Sequence, residues 1–311
     1  MADRDLITFD WAIKRLLRSK ANFGILEGFL SELLHEDIKI IEVLESESNR
    51  DTEKNKLNQI DLKVKNDRNE IIIVEVQYER EADFFHRLLF GSSKVITEHL
   101  EKGEDYSKIV KVYSISVLFF ELGHGDDYIY HGTTVFRGIH LNDTLELSEK
   151  QRGLFNKKLP GQIYPEYYLI RVNNFNDTAL TSLDEWVYFL KNSEIKTTFT
   201  AKGLQLAKLE LNVMKLSEPE RISYEIYQKN LHYEASMMRN SFREGKLEGK
   251  LEGKKEGEKE AKVDIIRKLI SLKFGQIDEK YIEKINNSTA GSIEKYIEKI
   301  LFVSKIEDLF T

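Results

Sequence analysis

Two short apolar runs split by a polar turn constrain this chain more than any other feature. Gln59-Ile-Asp-Leu-Lys-Val-Lys65 and Ile71-Ile-Ile-Val-Glu-Val-Gln77 flank Asn66-Asp-Arg-Asn-Glu70. Aliphatic and β-branched residues on both sides of a turn spell a β-hairpin. Centring it near Arg68 puts Asp61 across from Glu75 and sends Ile60, Leu62, Val64, Ile72, Val74 and Val76 to one wholly apolar face. The other face gathers Asp61, Lys63, Glu75 and Gln77 beside Ile71 and Ile73. Directly opposed Cβ atoms lie roughly 4.5 to 5.5 Å apart, so Asp61 and Glu75 repel unless a positive charge joins them. A hard cation such as Mg²⁺ suits such a pair, because it is held by one or two carboxylates plus waters and phosphate oxygens. A surface hairpin with two solvated acids is the plainer alternative. Glu75 weighs against it: it follows four apolar residues, where an unpaired carboxylate is costly.

A chain of 311 residues can bury at least one substantial core, and the absence of cysteine excludes disulfides, thiolate zinc sites and a cysteine nucleophile. A cysteine-free chain suits a reducing compartment. The start, Met-Ala-Asp-Arg-Asp, is charged and not followed by a signal-type apolar run, and no segment is long and apolar enough to cross a bilayer, so a cytoplasmic protein is expected. A net charge of −6 gives no overall attraction to nucleic acid, yet leaves room for a local basic surface around an acidic metal site. The seven histidines show no H-x-x-x-H spacing. His124, beside Asp126 and Asp127, reads as part of a turn between strands.

Periodicity places helices over 10–17 and 22–34, a strand over 38–44, then the hairpin, a helix over 82–100 and a strongly apolar strand over 111–120. Further strands are expected at 127–130, 133–139 and 167–172, with helices from 182 onward. This order describes a mixed α/β core. At Glu244 the composition changes to a Glu-Gly-Lys repeat with glycines at 245, 249, 253 and 257. A solvated, loosely helical linker is the favoured reading; the alternative is a glycine stripe that lets a second helix approach closely and gives a dimer. Apolar positions at helical spacing from 263 to 309 suggest a small helical interaction module. The expected divisions are 1–180, 181–242, 243–262 and 263–311.

Several ordered residues resemble one family. Asp10-x-x-x-Lys14 in the first helix, Lys56 ahead of Asp61, Glu75-Val-Gln77, Arg87 with Ser93-Lys94, and Gly103-x-x-Tyr106 together resemble the recombination-promoting nuclease and transposase group (Rpn-like) of the PD-(D/E)XK nuclease superfamily. The resemblance covers about residues 5 to 230, and the segment Leu183-Asp-Glu-Trp-Val-Tyr-Phe-Leu190, the Glu-Gly-Lys repeat and the helical tail fit the layout of such proteins. It implies a restriction-endonuclease-like core, a central mixed sheet flanked by helices with a helical C-terminal extension, that cuts DNA with Mg²⁺ (or Mn²⁺). Asp61 and Glu75 would hold the metal, Gln77 would take the third motif position, and Asp10 would add a further carboxylate. The resemblance leaves recombination and defence against foreign DNA unseparated. A catalytically weak DNA-binding or interaction protein on the same fold is the alternative.

The third motif position is usually lysine, and an amide there cannot offset the charge that develops at phosphorus. Lys14, Lys63 and Lys94 are candidates for the missing charge, and Arg87 for a phosphate contact. Cutting both strands of a duplex usually requires two sites, so a homodimer through the C-terminal helices is expected.

Overall fold

A computed structural model of the chain describes residues 6–15, 17–44, 61–100 and 103–310. Lys56, Gln59 and Ile60 lie outside the described residues. The chain divides into two compact units, 1–224 and 225–311.

The first unit is built on a six-stranded mixed sheet in the order β1-β2-β3-β4-β6-β5: β1 (Ile40–Leu44), β2 (Leu62–Asn66), β3 (Ile71–Gln77), β4 (Val112–Leu118), β5 (Ile129–Gly132) and β6 (Glu166–Arg171). Antiparallel pairing joins β1 to β2, β2 to β3 and β5 to β6, while β3, β4 and β6 run parallel. The hairpin turn forms because the Asn66 side chain accepts from the backbone of Arg68 and Glu70, and Asn69 takes the left-handed conformation (φ 61°) that asparagine tolerates.

The parallel strands at the centre are buried on both faces, which explains the unbroken apolar run of β3. The face carrying Ile71, Ile73 and Glu75 is therefore not an open polar surface. Helix α3 (Phe84–Glu98) covers it: Val95 packs on Ile71, Ile73 and Val112, and Phe84 and Leu88 pack on Leu118 and Phe120. Leu62, Val64, Ile72 and Val74 point the other way and are also buried.

Helices α1 (Phe9–Arg15), α2 (Phe23–Leu34) and α5 (Ser182–Asn192) meet in an aromatic group in which Phe9, Phe29, Trp186 and Phe189 make edge or tilted ring contacts. Thus α5 supplies core to this unit, which continues through α6 (Leu204–Glu210) to Tyr224. Helix α2 approaches the start of α6 backbone to backbone: a Cβ at Gly28 would lie 2.3 Å from the Lys202 carbonyl oxygen and 2.7 Å from Gly203 Cα. Gly203 is itself left-handed (φ 84°), and Trp186 Nε1 donates to the same Lys202 carbonyl at 3.1 Å. Gly28→Ala should therefore force this junction apart and cost about 2 to 3 kcal/mol, measured by urea denaturation of the variant.

One expectation along the chain is corrected. Residues 133–139 form no strand, only a bridge between Arg137 and Thr144. Val135 and Ile139 are exposed, so the alternation there has no packing surface to bury against. In their place the segment before β6 carries a short helix, α4 (Glu149–Phe155), started by a capping box between Ser148 and Gln151. The Glu-Gly-Lys repeat, expected to be solvated and loosely helical, lies exposed inside one continuous helix, α7 (Glu218–Phe274), although each glycine is about 1 kcal/mol less favourable there than alanine.

In the second unit the end of α7 folds with α8 (Glu279–Asn286) and α9 (Ala290–Lys299) over a small core of Ile266, Ile270, Ile285, Ile293, Ile300 and Leu309. No helix among the described residues is long and apolar enough to cross a membrane.

Candidate active site

The pairing of Leu62 with Val74 continues one step to set Asp61 beside Glu75, at the end of the sheet where β3 and β4 finish. Asp61 sits just ahead of β2 and is held on three sides. Its Oδ2 accepts from the Val76 backbone N–H at 2.7 Å, its Oδ1 meets Lys14 Nζ at 3.2 Å, and its carbonyl accepts from Arg18 Nη2 at 2.8 Å. Lys14 lies on α1 and Arg18 shortly after it, so the end of that helix clamps the Asp61 backbone and side chain together.

Glu75 is buried, at 7% exposure, on the α3 face. Burial pushes its pKa up to about 7, and the negative charges of Asp61 and Glu81 add to the effect, while the Arg87 guanidinium opposes it. Beside it on β4, in register, stands Ser116, fully buried and with no hydrogen-bond partner for its hydroxyl among the described residues.

Gln77 turns its amide nitrogen to Glu81 Oε1 at 3.1 Å and to the Glu79 carbonyl at 3.3 Å. The same Glu81 oxygen accepts from Arg87 Nη1 at 2.6 Å. Glu81 therefore ties the motif glutamine to the helix arginine. Neither it nor Arg18 or Ser116 was apparent from the sequence. Glu81 is one acid in the charged run Glu79-Arg80-Glu81, with no periodicity to mark it, and the place of Ser116 emerges only with the parallel register of β3 and β4.

Asp10, in the first turn of α1, is almost fully buried, and neither carboxylate oxygen has a hydrogen-bond partner among the described residues. Burial raises its pKa, held back in part by the nearby Thr8, Lys14 and Tyr78 side chains. Asp10 is not gathered with Asp61 and Glu75 into a three-carboxylate set: among the described residues no three acidic or histidine groups come together to hold a metal. Lys63 and Lys94 are turned elsewhere. Lys63 is buried and meets Glu98 at 3.1 Å, and Lys94 meets the same carboxylate at 3.5 Å. Of the candidate cations, Lys14 and Arg87 are the two beside the acidic pair.

A cavity of about 460 Å³, lined mainly by apolar residues of α3, β5 and β6 such as Leu88, Tyr130 and Leu169, also lies on the α3 side of the sheet. It contains none of the acidic cluster.

A family model described as PD-(D/E)XK nuclease family transposase matches residues 7–241, from the start of α1 to a point in α7 just short of the repeat. The chain belongs to this family. Comparison with curated proteins and with solved structures returned no match. Membership agrees with the mixed six-stranded sheet flanked by helices, a restriction-endonuclease-like core, and places the protein in nuclease or transposase-related chemistry. Members of the superfamily generally use divalent metals, and DNA is the substrate the family implies.

Proposed function

We infer that this family member is a Mg²⁺-dependent DNA endonuclease, with Asp61 and Glu75 as the metal-holding pair. The observation that carries the reading is their opposition at the end of the sheet between two cations, Lys14 and Arg87. Two carboxylates without a third ligand suit Mg²⁺, which keeps waters and takes up phosphate oxygens, better than a metal that needs an all-protein cage. Bound there, the ion would polarise the scissile phosphate and acidify an attacking water.

The chain's own residues do the rest. Asp61 is fixed by Val76, Lys14 and Arg18, so its carboxylate has little freedom to lose when a ligand binds. Gln77, its amide nitrogen committed to Glu79 and Glu81, offers its carbonyl oxygen to orient a water. Lys14 and Arg87 bring positive charge to the phosphate, and Asp10 lies within electrostatic reach of Lys14. The biological setting is recombination, transposition or defence in the cytoplasm, a reading supported by the family and by the cysteine-free sequence.

The test is plasmid DNA incubated with purified protein and Mg²⁺ or Mn²⁺. Nicking is expected, and Asp61→Ala should reduce it by at least about a hundredfold. No cleavage at any protein concentration, or cleavage indifferent to Asp61→Ala, overturns the assignment. Gln77 in place of the usual lysine favours a second reading, a DNA-binding protein on a weakened nuclease core. Retained DNA binding without metal-dependent cleavage would select it.

A further inference from the structure

Helix α3 packs on β3 and β4 and leaves the edge of the sheet beyond them less covered. Tyr167 and Leu169 of β6 share the α3 face with Tyr130 of β5, which pairs with Leu169, and all three are only partly buried. The cavity of about 460 Å³ lies here. Leu88 and Leu122 complete its apolar wall, and the exposed Phe85 and Leu89 carry that wall out to solvent. Its size falls within the roughly 300 to 1,000 Å³ of small-molecule sites, and its lining calls for an apolar guest.

One side chain of the wall carries a permanent charge. Arg171 is only 5% exposed, and its guanidinium stands 5.7 Å from the centre of the Tyr130 ring. Nη1 donates to the Gly125 carbonyl at 2.9 Å and, more weakly, to the Asp127 carbonyl at 3.4 Å. Among the described residues Nε and Nη2 make no hydrogen bond, and no carboxylate pairs with the group. The acids nearest along the chain are engaged elsewhere: the Asp127 carboxylate accepts from the backbone of Tyr128 and Ile129, and Glu166 holds Lys111 and His131. A lysine in such surroundings can shed its proton, but a guanidinium cannot, so the charge stays and its burial without a counter-ion is costly. Anchoring the loop over 123–127 occupies Nη1 alone. The remaining edge, Nε and Nη2, presents two parallel N–H groups, the fork that a carboxylate matches with its two oxygens.

We propose that this cavity binds a small amphipathic carboxylate, with its anionic head on the Nε and Nη2 edge of Arg171 and its apolar body against Leu88, Leu122, Tyr167 and Leu169. The charge supplies the recognition and the wall supplies the burial. The site lies apart from Asp61 and Glu75 and does not rest on the nuclease reading.

The probe is decanoate, titrated calorimetrically into full-length protein in metal-free buffer. One equivalent should bind with a dissociation constant of about 50 μM or tighter. Decanol, which has the same tail without the charge, should bind at least about tenfold more weakly, and Arg171→Met should remove that preference. Because Arg171 also holds a loop, Leu89→Glu gives an independent check on an exposed residue. The new carboxylate at the mouth should weaken decanoate at least about fivefold, leave decanol within about twofold, and leave the far-UV circular dichroism unaltered. Carbon-13 resonance of carboxyl-labelled decanoate should show the bound acid titrating at lower pH than the free acid, since the guanidinium favours the ionised form. No binding at about 1 mM decanoate, equal affinity for acid and alcohol, or a Leu89→Glu protein that binds decanoate like the parent would overturn the proposal.

Discussion

Glu75→Gln is expected to abolish nicking and, in the absence of metal, to make the N-terminal unit more stable than the parent at pH 8. The two outcomes share one cause. In the folded protein the carboxyl has a pKa of about 7, against 4.5 for the ordinary group, chiefly because it is buried. A carboxyl raised in this way stabilises the fold while protonated, and that contribution is lost as pH rises from about 5 through 7, since the native state then holds a proton the unfolded chain has released. At about 1.4 kcal/mol per pH unit, the loss reaches about 3 kcal/mol above pH 7. Glutamine has the shape of the protonated acid and no charge to bury. The variant and parent should therefore have equal stability at pH 5 and differ by about 3 kcal/mol at pH 8, measured by urea denaturation in chelator. The only two tryptophans, Trp11 and Trp186, both lie in this unit, so their fluorescence reports it selectively. Saturating Mg²⁺ should close the gap by stabilising the parent alone, as any ligand specific for the native state does. Below pH 7 the ion must displace a proton, so its apparent affinity should fall about tenfold per pH unit. Equal stabilities at pH 8, or a variant stabilised by Mg²⁺ as much as the parent, would remove Glu75 from the metal site.

The same residue shows how far the sequence could be read. Strand alternation and a turn at Arg68 suffice to oppose Asp61 and Glu75, because register in a hairpin is a local property of a few residues. The environment of that pair is not local. Whether the Glu75 face is open or covered depends on α3 returning across β3 and β4, a contact between segments distant in the chain, and covering it is what pushes the Glu75 pKa up. Lys63 is instructive for the same reason: it shares the strand face with Glu75, yet the end of α3 brings Glu98 over it and the charge is neutralised there. The strand expected at 133–139 misled, because its alternation has no surface to bury against. The repeat at 244–257 lies within a long exposed helix, and its glycines weaken that helix without stopping it.

Lys14→Met should reduce the nicking rate by about a hundredfold or more while tightening Mg²⁺ binding several-fold. On the proposed assignment Gln77 stands where the motif usually has lysine, so the positive charge beside the acidic pair has to come from elsewhere. Lys63 and Lys94 converge on Glu98, and Arg87 is shared between Glu75 and Glu81. Lys14 remains: its Nζ is 3.2 Å from Asp61 and its side chain is 43% exposed, so it touches the carboxylate proposed to hold the metal and reaches the solvent side where a phosphate would arrive. These two contacts pull in opposite directions. Against Asp61 the ammonium competes with an incoming cation, and its removal leaves the carboxylate freer to bind one. Against the phosphate it stabilises charge that builds only as the bond breaks, and that term governs the rate. Tighter Mn²⁺ binding by electron paramagnetic resonance, together with slower single-turnover nicking, is the signature of both roles in one side chain. Lys14→Arg should keep most of the rate, since it keeps the charge. A Lys14→Met enzyme that nicks within about threefold of the parent would move the role to Arg87, which is already within electrostatic reach of Glu75.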